Sequence, residues 1–259
     1  MLWRKNWWET RLPFWTGIVT FGFLTIWVIS LTSIDPSRAG RLQRGAGNWN
    51  EETRQALPLL SSFQGQVWVF WFKLTLKFLL PYIAMCWAML IPGCASPWTG
   101  KKVGGGREFM LSFPVSRRRI LLTQAAVGCG ELWLVAVASS ALLPIISHWK
   151  GQWYSLEDAL IFASLSALGA LVFYSLTLLM TVFFDNGIMA LLFCVAVYVI
   201  TLFPFRLIES SPRWNIHRLI AGEDYFLHGQ IPWLLSGACL LVSALLLLGA
   251  VRIFERRDF

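Results

Sequence analysis

The apolar residues of this chain gather into long blocks that short polar segments separate. Each block holds roughly 20 to 27 residues, enough to cross a hydrocarbon core about 30 Å thick at ~1.5 Å per residue. None shows the period-two alternation of a barrel strand. The pattern therefore predicts an all-α polytopic membrane protein with six transmembrane helices. The six blocks are Leu12–Ile34, Val67–Ile91, Ile120–Ile146, Ala159–Phe184, Gly187–Phe205 and Ile231–Ile253.

The first eleven residues differ from the apolar block that follows them. They combine three tryptophans with three basic residues, and Trp3 and Trp7 share one face at helical spacing. This composition predicts an amphipathic interfacial helix over residues 1–11. The block after it is too long for the apolar region of a signal peptide, and no small-residue cleavage site follows it. We therefore expect it to be a true span.

The connecting segments divide one membrane domain, residues 1–259, into unequal loops. Residues 35–66 form the longest external loop, and residues 206–230, which prolines interrupt, are expected to form external re-entrant or surface helices. By contrast, only Asp185 and Asn186 separate the fourth and fifth blocks. A connection this short requires the two helices to be adjacent and antiparallel.

Charge sets the orientation of the predicted bundle. The chain is 56% hydrophobic and only 14% charged, whereas soluble domains carry about a quarter charged residues. With six spans, the face that holds both termini carries twelve lysines and arginines against five acids, and the other face carries eight of each. Because basic residues concentrate in cytoplasmic loops, both termini should be cytoplasmic. Lipid headgroups account for the net charge of +8 without nucleic acid.

Three charged residues fall inside predicted spans. Lys73 and Lys77 lie one turn apart in the second span, and Glu131 lies well inside the third. A central charge costs at least ~2.5 to 3.5 kcal/mol on insertion scales. Three interpretations stay open: both lysines are interfacial anchors, Lys77 pairs with Glu131 between helices while Lys73 reaches the outer face, or the three take part in substrate passage.

No enzyme site is evident in the sequence. The glycine-rich stretch of residues 99–106 fails as a phosphate loop, because Ala95 replaces the first glycine and Lys102 replaces the hydroxyl residue. The three histidines and five cysteines lack metal-ligand spacing. We therefore expect no catalytic residue, no metal and no cofactor bound by this chain itself.

The segment between the second and third blocks is compact, basic and amphipathic. It reads Gly-Arg-Glu-Phe-Met-Leu-Ser-Phe-Pro-Val-Ser-Arg-Arg over residues 106–118. An acidic residue, a hydrophobic run and a Pro-x-Ser-Arg turn in this place resemble the membrane permease subunits of type-2 ABC exporters. The amphipathic N-terminus, the six spans, the long first external loop and the basic C-terminal tail are similar to that family too. Gln124 departs from it, since members often carry lysine there.

The resemblance implies a type-2 ABC exporter permease-like fold and a separate motor. Residues 93–119 would be the cytoplasmic coupling segment, and the turn between the fourth and fifth spans a smaller contact with an ABC ATPase subunit that binds ATP and Mg. A second permease copy, or a related permease, would complete the pathway in the cell inner membrane among membrane lipids. The residues implied to contact the ATPase are Glu108, Phe109, Met110, Leu111, Phe113, Pro114, Arg117, Asp185 and Asn186.

Two other functions fit the same composition. An ion-coupled secondary transporter would use Lys73, Lys77 and Glu131 as a relay, with helices broken at mid-membrane. A non-transporting ABC-type component would link ATP hydrolysis to assembly or signalling. The sequence does not identify a substrate.

Overall fold

A computed structural model describes residues 2–32, 62–89, 116–184, 186–202 and 215–256. Within these ranges every regular element is a helix. Eight helices follow one another in the described parts of the chain. They are α1 (Leu2–Leu31), α2 (Phe63–Met89), α3 (Arg117–Trp149), α4 (Leu156–Phe184), α5 (Gly187–Leu202), α6 (Ile216–Ala221), α7 (Glu223–His228) and α8 (Trp233–Arg256).

Four of these helices, α2, α3, α4 and α8, are long and apolar enough to cross a membrane. The first and fifth predicted blocks give shorter apolar stretches, Phe14–Ser30 within α1 and Gly187–Leu202 in α5. The all-helical class is thus confirmed for the described residues, with four candidate membrane spans, and the count of six stays a prediction. The predicted interfacial segment is continuous with the first predicted span, because α1 runs unbroken from Leu2 to Leu31, and its interfacial position stays a prediction.

Local capping explains several helix boundaries. The Ser116 hydroxyl accepts a hydrogen bond from the Arg119 amide, so α3 begins three residues before its apolar block. The Asn186 side chain accepts from the Ile188 amide at 3.0 Å and starts α5. Gly222 ends α6 in the left-handed region, at φ +63°. A side chain there would be strained, which makes glycine the suitable residue.

Helix α2 contains an uncommon segment. Residues Trp68–Leu76 form nine residues of π-helix between two α-helical parts. The Thr75 hydroxyl donates to the Phe70 carbonyl, five residues earlier, at 2.7 Å and satisfies an acceptor in this widened turn. Such segments occur frequently at functional sites.

Helix α4 lies at the centre of the bundle and contacts α2, α3, α5, α6 and α8. In its most apolar window 56% of the residues are buried, against 33% to 39% in the other three candidate spans. Five small residues on α4, which allow helices to approach closely, are buried. They are Ala163, Ser166, Ala167, Gly169 and Ala170.

Contacts between helices define two ends of the bundle. At one end Gly187 lies against Met89, and α3 and α8 have their arginine-bearing termini; we call it the arginine end. At the other end α6 and α7 cover α2 and α4, as the contact of Ile220 with Gly169 shows; we call it the cap end. The Lys150 ammonium also lies there and donates to the Ile29 carbonyl at the end of α1.

Candidate functional site: a helical cap above a charged layer

The cap, formed by α6 and α7, is fastened to α2 and α4 by hydrogen bonds to its backbone. The buried Trp68 donates its indole N–H to the Ala221 carbonyl at 2.8 Å. The Ser166 hydroxyl donates to the neighbouring Ile220 carbonyl at 2.6 Å. The Trp68 ring also stacks on Phe226 with centroids 4.3 Å apart. The two carbonyls at the end of α6 therefore gain partners from two different spans.

Charged side chains join the cap to the π-helical part of α2. The Lys73 ammonium lies 3.3 Å from the Glu223 carboxylate and 5.1 Å from the centroid of the Trp68 ring. Arg218 contacts Glu223 at 3.6 Å and Asp224 at 2.8 Å. The structure thus places Lys73 at the cap end, with its side chain still 42% exposed. Partly solvated pairs of this kind contribute little stability, typically below ~1 kcal/mol each.

A tyrosine links the cap to the first turn of α4. The Tyr225 hydroxyl donates to the Asp158 carboxylate at 2.8 Å. Burial, together with this hydrogen bond and the negative charge of Asp158, raises the pKa of Tyr225 to about 12. The phenol therefore stays protonated at neutral pH and keeps its role as a donor.

A histidine of the cap, on α6, is buried against α5. His217 is 2% exposed, and its Nε2 lies 3.0 Å from the Thr201 hydroxyl on α5. Its ring is 5.1 Å from the Tyr198 ring and 6.2 Å from the Phe173 ring, centroid to centroid. Burial, with a smaller contribution from the positive charge of Lys77, lowers the pKa of His217 to about 4. The imidazole is therefore neutral at physiological pH.

Lys77 and Glu131, which are predicted to lie within the membrane, are one layer deeper. The Tyr198 hydroxyl donates to the backbone carbonyl of Lys77 at 2.7 Å, which relates α5 to α2 at this level. Phe173 on α4 lies beside Tyr198. The next residue, the fully buried Tyr174, packs its phenol against Gly128 on α3. Glu131 lies about one turn further along α3 and is 4% exposed. Lys77 and Glu131 therefore belong to the same layer of the bundle, and their ion pair stays a prediction.

The arginine end holds the described residues of two regions that are predicted to contact an ATPase. Helix α3, whose first three residues are the last of the predicted coupling segment, starts at this end, and Asn186 of the α4–α5 turn lies there because α3 and α4 are antiparallel. Arg117 is the first residue of α3. The remaining implied contacts, Glu108, Phe109, Met110, Leu111, Phe113, Pro114 and Asp185, lie outside the described residues.

The contacts that hold the cap were not anticipated from the sequence. The contact between Trp68 and Ala221 joins residues 153 positions apart. His217 lies within residues 206–230, which the sequence predicts to be external, and the structure buries it against α5. The available signal was the mixture of acids, bases and aromatic residues over residues 215–226, which is unusual for a free loop.

Within the described ranges, no three His, Cys, Asp or Glu side chains come together as a metal site. No protein-family model, no curated protein and no solved structure matches the chain.

Proposed function

We propose that this chain is the transmembrane permease subunit of an ATP-driven ABC transporter, an exporter that works with a separate ATP-binding subunit. The observation that carries the proposal is the common position of two connections at the arginine end. The coupling segment enters α3 at Ser116, and α4 joins α5 at Asn186 on the same side of the bundle. A soluble motor bound at that end would contact both connections at once.

The charges of the described residues support a cytoplasmic arginine end. Its described side chains include four arginines and one acid, namely Arg118, Arg119, Arg252, Arg256 and Glu255. At the cap end three bases face four acids, namely Lys73, Lys150, Arg218, Glu157, Asp158, Glu223 and Asp224. Because lysine and arginine are retained on the cytoplasmic side, this difference favours cytoplasmic termini and an external cap.

Helix directions support six crossings. Helix α1 runs parallel to α3, since Gly17 lies near Val135 and Lys150 lies at the end of α1. Helix α8 runs parallel to α4, since Leu235 shares a buried cluster with Leu165 near the starts of the two helices and Gly249 lies near Leu179 towards their ends. Six alternating spans require both relations. The apolar stretches of α1 and α5 are about 24 to 26 Å long at 1.5 Å per residue, close to the thickness that a span must cover.

The proposed mechanism follows from this arrangement. ATP-driven closure of two ATPase subunits would move two permease copies as rigid bodies, because packed helices change their relative positions more readily than their internal structure. The interlocked cap would close the external end until the bundle is displaced. ATP and Mg would be bound by the ATPase, and this chain would supply the path and the coupling contacts.

The test compares coupling variants with matched variants at the opposite end. The double variant Glu108→Ala/Phe113→Ala should lose co-purification with the ATPase subunit and substrate-stimulated ATP hydrolysis, while its helical content is unchanged. The control Trp153→Ala/Glu157→Ala removes two exposed side chains at the cap end and should retain both activities. Full assembly and transport in the coupling variant would refute the proposal.

The buried Glu131 favours one second candidate, an ion-coupled secondary transporter. A carboxylate within a membrane bundle commonly serves proton or ion passage. In that case transport in proteoliposomes would need an ion gradient and no ATP, and Glu131→Gln would abolish it. The ABC proposal predicts instead that transport requires ATP and persists after the gradient is dissipated.

A further inference from the structure

An open hollow of about 370 Å³ lies at the arginine end, beside the first turns of α3. Its described lining consists of two arginines above an apolar strip. The lining residues are Ser116, Arg118, Arg119, Leu122, Thr123 and Ala126.

The hydrogen-bond donors at the top of the hollow are the two guanidinium groups. Arg118 and Arg119 are exposed, and neither forms an ion pair with a described residue. The two other polar side chains are already engaged with the helix backbone. The Ser116 oxygen accepts from the Arg119 amide, and the Thr123 hydroxyl donates to the carbonyls of Arg119 and Ile120. Any polar group bound here would therefore be recognised by positive charge.

The lower part of the hollow is apolar and follows from helical spacing. Leu122 lies four residues after Arg118, and Ala126 lies seven residues after Arg119, so all four residues share one face of α3. Leu122 is 38% exposed, which is high for a leucine packed inside a bundle. From Arg119 to Ala126 the helix rises about 10 Å, close to the depth between a headgroup phosphate and the first part of an acyl chain.

We infer that this hollow seats one anionic phospholipid, with the phosphate held by Arg118 and Arg119 and an acyl chain lying along Leu122 and Ala126. An acidic protein surface would satisfy the arginines and leave the apolar strip uncovered, whereas a lipid satisfies both parts. Basic pockets at the cytoplasmic ends of spans bind anionic headgroups by the same electrostatics. The inference requires only that α3 crosses a membrane and does not depend on the proposed ATPase partner.

The expected effect of the arginines is set by charge attraction at a membrane surface. Each arginine near the surface contributes roughly a fivefold increase in affinity for anionic lipid, so both together contribute about 30-fold. The probe is phosphatidylglycerol, titrated against the full-length chain in phosphatidylcholine nanodiscs and followed by native mass spectrometry. Wild type should retain one phosphatidylglycerol in preference to phosphatidylcholine.

Three variants distinguish a defined lipid-binding site from general attraction of anionic lipid to a basic surface. Arg118→Gln/Arg119→Gln should lower phosphatidylglycerol affinity about 30-fold. The control Arg252→Gln/Arg256→Gln removes the same charge from exposed residues at the same end and should change affinity less than about threefold. Ala126→Trp fills the apolar part while keeping both arginines. It should also release the lipid, and it keeps the inference testable if the first variant does not fold.

Three outcomes would overturn the inference. Equal losses of phosphatidylglycerol affinity in the two double arginine variants would show that lipid is attracted by the surface charge as a whole. Displacement of the lipid by glycerophosphoglycerol, which has the headgroup without chains, would show a phosphate site alone. Unchanged lipid binding in Arg118→Gln/Arg119→Gln, with loss of a co-purifying protein instead, would show a protein-docking surface.

Discussion

Replacing Gly128 with alanine tests the packing of α3 on α4, where the charged layer lies. An ideal Cβ at this position would be 2.2 Å from the Tyr174 hydroxyl oxygen and 2.8 Å from the ring carbon that bears it. Real Cβ atoms essentially never approach other heavy atoms below 3.0 Å. Tyr174 is 1% exposed, so its ring has no free space to enter. The helices must move apart, or the ring must leave its preferred rotamer.

The magnitude follows from two opposing effects. Overpacking a well-filled core costs about 1–3 kcal/mol, and alanine gains about 0.8–1.0 kcal/mol over glycine in a helix interior. Gly130 provides a matched control two residues away, because a Cβ there would meet nothing within 4 Å. Both variants share the gain in helix propensity. Gly128→Ala should therefore be about 1–3 kcal/mol less stable than Gly130→Ala.

The assay is reversible unfolding of the purified chain in mixed micelles, followed by helical circular dichroism. Adding Tyr174→Phe removes the hydroxyl oxygen that the new Cβ would meet. It should therefore recover part of the stability lost in Gly128→Ala and should not increase the stability of Gly130→Ala. Equal stability of the two alanine variants would contradict the packing of α3 against α4 described above.

Three further predictions concern the charged layer and the cap. Lys77→Ala should cost about 3–5 kcal/mol in micelle unfolding, because it leaves the buried Glu131 without its predicted partner. Glu131→Ala should cost less, because Lys77 is only partly buried. The double variant should recover most of the loss, and additive losses would exclude the pair. His217 has a folded-state pKa of about 4, below the ~6.5 of an unfolded histidine, so the unfolded chain gains the proton first as the pH falls. The free energy of unfolding should therefore decrease by up to about 3 kcal/mol as the pH falls from 6.5 to 4. His217→Gln should lack this decrease, and the same decrease in the variant would show that His217 does not cause it. Trp68→Ala should lower the stability of the cap by about 3 kcal/mol and so increase amide hydrogen exchange in α6. Glu223→Gln should lower that stability by less than ~1 kcal/mol. A larger increase in exchange for Glu223→Gln than for Trp68→Ala would show that the ion pairs hold the cap.

Residue patterns predict the helices well, because each depends on local properties. Long apolar blocks define α2, α3, α4 and α8, since backbone groups in lipid need the hydrogen bonds of a helix. Asn186 predicts the tight α4–α5 turn, and small residues such as Gly169 and Ala170 indicate the face on which α4 packs. The predicted start of the third block at Ile120 was late only because Ser116 caps the helix one turn earlier.

The cap and the charged layer could not be derived in the same way, because they depend on contacts between distant residues. Ser166 is paired with the carbonyl of Ile220, and Tyr198 with that of Lys77, over separations of 54 and 121 residues. One interpretation of the sequence already places Lys73 nearer the outer face than Lys77. The structure adds the partner that the sequence could not identify, since Lys73 pairs with Glu223 at the cap end while Lys77 lies one layer deeper.

The most direct test of the central claim is the sidedness of the arginine end, because only a cytoplasmic arginine end is accessible to an ATPase. Single cysteines would replace Glu255 at that end and Trp153 at the cap end, in a variant whose five native cysteines are replaced by serine. A membrane-impermeant maleimide would then be added to intact cells. We predict that Trp153→Cys reacts at once and that Glu255→Cys reacts only after permeabilisation. Labelling of Glu255→Cys in intact cells would contradict the proposal that a cytoplasmic ATPase drives this protein.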